Sequence, residues 1–162
     1  MNASPSTPIS VNKSGDTFMI HASDYQKRFN HQVSGSLNPI SQFDILEVYP
    51  FRTYEAQLED NIRVSILSDG ETDNIMSITL KVSLLNDENS HLVQKYMLCI
   101  YHSCDPTATA EDHARFLQAI LDMKYSSYDN SYSSDFYEKN NIKYRLSMDL
   151  NQLTLLVIPS LS

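Results

Sequence analysis

The chain has 162 residues, of which 41% are hydrophobic, and its 12 Lys and Arg face 20 Asp and Glu, giving a formal net charge of −8. A chain of this length forms one domain and buries a core without needing disulfides or metals. Nucleic-acid binders need clustered cations, and the densest cationic stretch here is Lys27-Arg28. No apolar run reaches the ~18 residues that span a bilayer. We therefore expect a folded, acidic domain that neither binds nucleic acid nor inserts into a membrane.

The N-terminal stretch is rich in Ser, Thr, Pro and Asn up to residue 14 and lacks the charged start and apolar centre of a signal peptide. Its composition is typical of the tether of an exported domain. It predicts a flexible lead-in over residues 1–14 and a single domain over 15–162, located in the periplasm or secreted. A cytoplasmic location is the alternative.

The first elements predicted in that domain are a short strand and a helix. Residues 17–21 form a brief apolar run typical of a strand. Ser23 and Gln26 then fit a capping box, and an apolar residue recurs at every fourth position after it. Gly35 lies where a helix C-terminus favours a left-handed residue. The pattern predicts a helix over residues 23–34.

From residue 43 the hydrophobic period changes to two, which is typical of strands with one wet face. Asp69-Gly70 marks a turn within this region. The second strand, over residues 51–58, has no clean apolar face. The predicted strands of this antiparallel meander are 43–50, 51–58, 62–67 and 76–84.

Two helices and a hairpin are predicted to follow. The first helix covers residues 90–103 and is broken by Asp105-Pro106. The second starts at a capping box made by Thr109 and Asp112. Alternation resumes at residue 142 and the chain closes as a hairpin ended by Pro159. The fold class is therefore α+β: an antiparallel meander packed by an N-terminal helix, then two helices and a C-terminal β-hairpin.

Nucleotide and calcium motifs are missing from the sequence. Phosphate loops need clustered glycines, and the three glycines, Gly15, Gly35 and Gly70, lie far apart. The acidic stretches that begin at Asp69 and Asp129 lack the glycine at position six and the glutamate at position twelve of a calcium loop.

The stretch around Cys99, His102 and Cys104 has the densest set of chemically reactive side chains in the sequence. Structural zinc sites use CxxC or HxxxH pairs, and neither spacing occurs here. A Cys–His nucleophile needs an oriented base and an oxyanion hole, and no motif supplies either. We therefore predict no metal, no cofactor and no enzymatic activity.

Cys99 and Cys104 are also candidates for a disulfide. Five residues of continuous α-helix rise about 7.5 Å along the axis. That distance exceeds the usual disulfide Cα span of at most about 6.8 Å. The bond therefore requires the helix to end or tighten near Tyr101 or His102, which Pro106 favours.

The Tyr- and Ser-rich segment 125–140 has no periodicity and is predicted to be a loop. Tyrosine gives a large contact area at low entropic cost, whereas Ser and Asn adapt their hydrogen bonds. A low-complexity linker whose tyrosines fold back onto the helices fits the composition equally well. The candidate partner-binding residues are Tyr125, Tyr128, Asp129, Tyr132, Asp135 and Tyr137.

These patterns predict a non-catalytic protein-binding module, such as an inhibitor or a toxin-neutralising immunity protein that acts on a basic partner. Charge would speed the association while tyrosines anchor the interface. The alternative is an exported, envelope-associated domain with a structural or small-ligand-binding role.

Overall fold

The computed structural model describes residues 6–83 and 85–161, and within them the chain forms three helices and nine strands. The helices are α1 (Ala22–Gln32), α2 (Ser90–Cys104) and α3 (Ala110–Leu121). The first four strands are β1 (Asp44–Val48), β2 (Phe51–Glu59), β3 (Ile62–Asp69) and β4 (Ile75–Val82). The others are β5 (Lys124–Ser126), β6 (Ser131–Ser133), β7 (Tyr137–Lys139), β8 (Ile142–Asp149) and β9 (Gln152–Pro159).

The strands form one antiparallel sheet in the order β1-β2-β3-β4-β9-β8-β6-β5. Strand β7 lies outside this order and pairs with the start of β8, whereas β6 pairs with the end of β8. The C-terminal strand β9 lies next to β4, so the hairpin extends the meander into one sheet. The predicted α+β class and its element order are confirmed. Residue 84, the last residue of the predicted fourth strand, lies outside the described residues.

One face of the sheet is buried under the helices. Ile66, Ile78, Val157 and Tyr144 are paired side by side across β3, β4, β9 and β8, and all four are fully buried. Burying each of the three aliphatic side chains contributes about 1.5–3 kcal/mol to stability. On the opposite face, residues such as Thr79 remain partly exposed. The predicted wet face is therefore present.

The start of α1 differs from the prediction. The helix begins at Ala22, because the Asp24 carboxylate accepts a hydrogen bond from the His21 N–H at 3.0 Å and caps the first turn. Residues 17–21 form no regular strand. The Phe18 N–H donates to the Ile75 carbonyl at 2.7 Å, and Phe18 forms an isolated β-bridge with Val11. This pairing depends on a residue far along the chain, which local periodicity does not reveal.

The described part of the predicted lead-in packs against the domain. Ile9 is 2% exposed and belongs to the core, and its N–H donates to the Cys104 carbonyl at 3.0 Å. The Arg28 guanidinium donates to the Thr7 carbonyl at 2.5 Å. Residues 7–9 therefore contact α1 and the end of α2.

The segment predicted to be a loop over 125–140 contains short strands. β5 pairs with β6, β6 pairs with the end of β8, and β7 pairs with the start of β8. The turn between β5 and β6 contains Asn130 at φ 56°, a left-handed conformation that asparagine tolerates. We call residues 124–133 the tyrosine ribbon.

The capping box of α3 forms as predicted. The Thr109 hydroxyl accepts from the Asp112 N–H at 3.2 Å, and the Asp112 carboxylate accepts from the Thr109 N–H at 2.9 Å. Asp112 also forms an ion pair with Lys139 of β7. The hydrogen bond from Lys139, followed by the one from Thr109, lowers the pKa of Asp112 to about 2.

We expect Asp112→Asn to destabilise the protein at neutral pH but not at the acid limit. Because the folded pKa of Asp112 is depressed, its contribution is present above the ordinary value of 3.8 and is lost as the pH falls towards 2. Urea unfolding between pH 7 and pH 2.5 should therefore show a wild-type advantage that shrinks below pH 4. The control is Asp149→Asn, at the exposed end of β8. A wild-type advantage that is constant with pH contradicts the assignment.

Candidate functional site

The tyrosine ribbon forms the sheet edge opposite β1. Tyr125 and Tyr132 lie directly opposite each other in β5 and β6, with ring centroids 5.2 Å apart and planes tilted by 57°. Tyr132 in turn pairs with Met148 of β8. The ribbon is thus fixed to the sheet through β6, and its position is set by a strand of the core.

The tyrosines of the ribbon leave much of their surface in solvent. Tyr125 is 54% exposed, Tyr132 is 44% exposed and Tyr128, in the connecting turn, is 98% exposed. The Tyr125 hydroxyl donates to the Asn130 side chain at 2.6 Å, which orients that ring. The result is a patch of amphipathic rings on a hydrogen-bonded scaffold, and such rings bury apolar area while keeping a polar tip.

The charges around the ribbon are mostly negative. Asp122, Asp129 and Asp135 lie within or beside it, and Lys124 forms an ion pair with Asp135 at 3.0 Å. The Ser131 hydroxyl donates to Asp129 at 2.6 Å and lowers the pKa of that carboxyl. Asp129 is exposed and carries its charge at neutral pH.

Tyr137 differs from the other candidate residues because it packs inward. Its ring lies 6.2 Å from Tyr101, 5.9 Å from Phe116 and 6.2 Å from Tyr144, centroid to centroid. It is only partly exposed and belongs to an aromatic cluster between α2, α3 and β8. The other five candidates are exposed: Tyr125, Tyr128, Asp129 and Tyr132 in the ribbon and Asp135 just after it.

A second exposed surface, on the β1–β2 hairpin, was missed by the sequence analysis. All five residues of β1 are exposed, including Ile45, Leu46 and Val48, and the turn residue Tyr49 is 85% exposed. Adjacent strand residues point to opposite faces. Two adjacent apolar residues such as Ile45 and Leu46 therefore cannot both reach the core, and that pattern was the available signal.

The two candidate cysteines do not form a disulfide. Cys99 and Cys104 are free and buried, and α2 continues through Cys104, so the helix does not end early enough to bring them together. Burial raises the pKa of both thiols to about 12, which keeps them protonated and weakly nucleophilic. In the described part of the chain, no group of three or more His, Cys, Asp or Glu residues is arranged to hold a metal ion.

Comparisons of the chain with protein-family models, with characterised proteins and with solved structures find no significant match. Among the residues that the structure describes, no helix is long and apolar enough to cross a bilayer. The function is therefore argued from the geometry of the surface.

Proposed function

We propose that the protein is a non-catalytic binding module that docks a basic surface of another protein through its tyrosine ribbon. The observation that carries this proposal is the exposure of three neighbouring tyrosines, between 44% and 98%, on a ribbon fixed to the sheet. Tyrosine is enriched among the residues that dominate interface energetics.

The attachment of the ribbon to the sheet supports this role. A tyrosine has only two side-chain torsions, so ordering it on binding costs little entropy. The β6–β8 pairing and the Tyr125–Asn130 hydrogen bond hold the scaffold before a partner arrives. Preorganisation of this kind raises affinity because less freedom is lost on association.

The charge distribution supports a basic partner. The chain carries a net charge of −8, and exposed Asp129 lies between Tyr128 and Tyr132. A negative surface speeds the encounter with a positive one and disfavours acidic competitors. An inhibitor or immunity protein that covers a cationic cleft needs a negative surface of this kind.

The proposal is tested by capturing partners from the organism that makes the protein, with the wild type and the double variant Tyr125→Ser/Tyr128→Ser. A captured protein is then purified, and its affinity for each variant is measured at low and high salt. We expect the double variant to weaken binding by at least about 30-fold, which corresponds to one interface hot spot of about 2 kcal/mol. Added salt should weaken wild-type binding.

The matched control is Tyr49→Ser, because Tyr49 is also an exposed tyrosine, at 85%, but lies on the β1–β2 hairpin. Thermal unfolding verifies that all variants are folded. A partner that binds the ribbon variant as tightly as the wild type but is lost with Tyr49→Ser rejects the ribbon as the docking surface and transfers the role to the hairpin.

The envelope-associated role remains the alternative proposal. Because both thiols are free, its exported location rests only on the composition of the N-terminal stretch. A small-ligand role would need a pocket. The helix-covered face of the sheet is filled by core side chains, so such a pocket has to lie elsewhere. One cavity lies between the helices, and another lies beside the ribbon, lined in part by Ser133 and Arg145.

A further inference from the structure

A groove of about 390 Å³ lies between α2, the start of α3 and the segment that follows α1. Its volume falls within the range of small-molecule sites, about 300–1,000 Å³. Leu37, Leu98 and the buried Cys99 provide its apolar lining. The groove lies between helices, away from the tyrosine ribbon, and its function does not depend on the proposed docking surface.

Apart from the buried thiol of Cys99, the titratable residues that line the groove are all basic. They are Lys95, His102 and His113, and no carboxylate contributes to the lining in the described part of the chain. The chain has 20 acidic residues against 12 Lys and Arg, so a concave site without a carboxylate departs from the charge of the rest of the molecule. Such a site favours an anion where most of the surface repels one.

The two histidines form a pair that can present a hydrogen-bond donor. His102 Nδ1 lies 2.9 Å from His113 Nε2, so one ring donates its N–H to the other. Partial burial and the neighbouring His102 lower the pKa of His113. In either tautomeric arrangement, one of the two outer nitrogens, His102 Nε2 or His113 Nδ1, carries a proton when the pair is neutral.

Lys95 supplies the fixed positive charge. It is exposed at the rim of the groove, and its ammonium makes no ion pair or hydrogen bond with another described residue. A lysine held in an intramolecular ion pair would first have to break that contact. Lys95 can bind an anion without such a loss.

We propose that the groove binds a small amphipathic carboxylate, with the carboxylate on Lys95 and the histidine pair and the apolar tail on Leu37 and Leu98. The Lys95 ammonium and the N–H of the histidine pair recognise the charged end, and the apolar lining buries the hydrocarbon end. An anion without a tail leaves the lining in water, and a cationic amphiphile places its charge against Lys95.

The test uses octanoate as the probe, with acetate and octylammonium as the matched anion and cation. Each is titrated into the full-length protein, and binding is followed by the NMR signals of the His102 and His113 rings and the Leu98 methyl groups. We expect octanoate to saturate and to shift all three residues, whereas acetate and octylammonium bind at least about tenfold more weakly. Equal affinity for octanoate and octylammonium, or for octanoate and acetate, overturns the proposal.

Variants locate the site. Lys95→Gln removes an exposed charge without a partner, so the fold is retained, and it should weaken octanoate binding about tenfold, since this is a hydrogen bond to a charged group. The control is Lys27→Gln, an exposed lysine of α1 that does not line the groove. Octanoate affinity that is the same for both variants, or shifts confined to residues outside the groove, overturns the assignment.

Discussion

Replacing Phe116 with alanine is expected to lower the free energy of unfolding by about 3–5 kcal/mol, the range for a fully buried aromatic side chain. Phe116 of α3 is fully buried and stacks on Tyr101 of α2, with centroids 4.3 Å apart and planes within 6°. Its edge contacts Tyr144 and Tyr137 at 5.3 and 5.9 Å. Removing the ring leaves a cavity that four elements line, and rigid neighbours cannot close it.

The measurement is urea unfolding of the purified variant at neutral pH. The matched control is Phe136→Ala, because Phe136 is an exposed phenylalanine beside Lys143 and Arg145 on the surface. That control should cost less than about 1 kcal/mol, as surface substitutions do. A loss for Phe116→Ala as small as the control's would mean that the cluster does not hold α3 against β7 and β8.

The elements that local sequence determines were the ones predicted well. α3 has both a capping box and an apolar stripe, and the structure starts it at the predicted position after Thr109. Strand β8 alternates strictly between apolar and polar residues, and β9 is a nearly continuous apolar run. Their inward residues, such as Leu146 and Leu155, are buried as paired neighbours. In these segments propensity, periodicity and packing favour the same structure, so the sequence alone is sufficient.

The elements that distant pairing determines were predicted poorly. β5, β6 and β7 have three residues each, too few to show a period, and β6 and β7 exist because the edge of β8 pairs with them. Residues 17–21 likewise form hydrogen bonds with Ile75, more than 50 positions away. A short polar strand is stabilised by its partner's backbone, and its own residues carry little signal.

Tertiary packing also decides which candidate site residues are exposed and which are buried. Tyr132 and Tyr137 lie on the same face of the sheet, since they pair with Met148 and Tyr144 of β8. Tyr137 meets Phe116 of α3 and enters the core, whereas Tyr132 stays 44% exposed at the sheet edge. Which tyrosine a helix covers depends on tertiary packing, and composition treats the two residues alike.

Replacing Arg28 with methionine is expected to lower the free energy of unfolding by about 2–4 kcal/mol, because the buried Ser103 carbonyl loses its donor and the Thr7 and Cys104 carbonyls each lose one hydrogen bond. Arg28 is buried in α1, and its Nε donates to the Ser103 carbonyl at 2.9 Å. Its Nη2 donates to the Thr7 carbonyl and, at 3.4 Å, approaches that of Cys104. The last carbonyls of a helix have no partner within it, so Arg28 satisfies the end of α2.

The change in unfolding free energy shows whether the hydrogen bonds of Arg28 outweigh the cost of burying its charge. Burying a guanidinium carries a desolvation cost, which methionine avoids while filling a similar space. This gain offsets part of the lost hydrogen bonding, so the free energy of unfolding falls by as little as the lower figure of the range. Arg28→Lys keeps the charge but not the planar fork, and should lose more than half as much as methionine. Urea unfolding measures the free energy of unfolding of each variant. The control is Lys27→Met, at an exposed neighbouring residue, which should stay within about 0.5 kcal/mol of the wild type.

Hydrogen exchange at the N–H of Ile9 locates the effect of Arg28. That N–H donates to the Cys104 carbonyl, next to the guanidinium, so it is protected only while residues 7–9 stay docked. If Arg28 holds this segment, its removal should accelerate exchange at Ile9 more than at core amides such as that of Ile78. Uniform acceleration would instead assign Arg28 a role in global stability alone, with the N-terminal segment held by the burial of the Ile9 side chain.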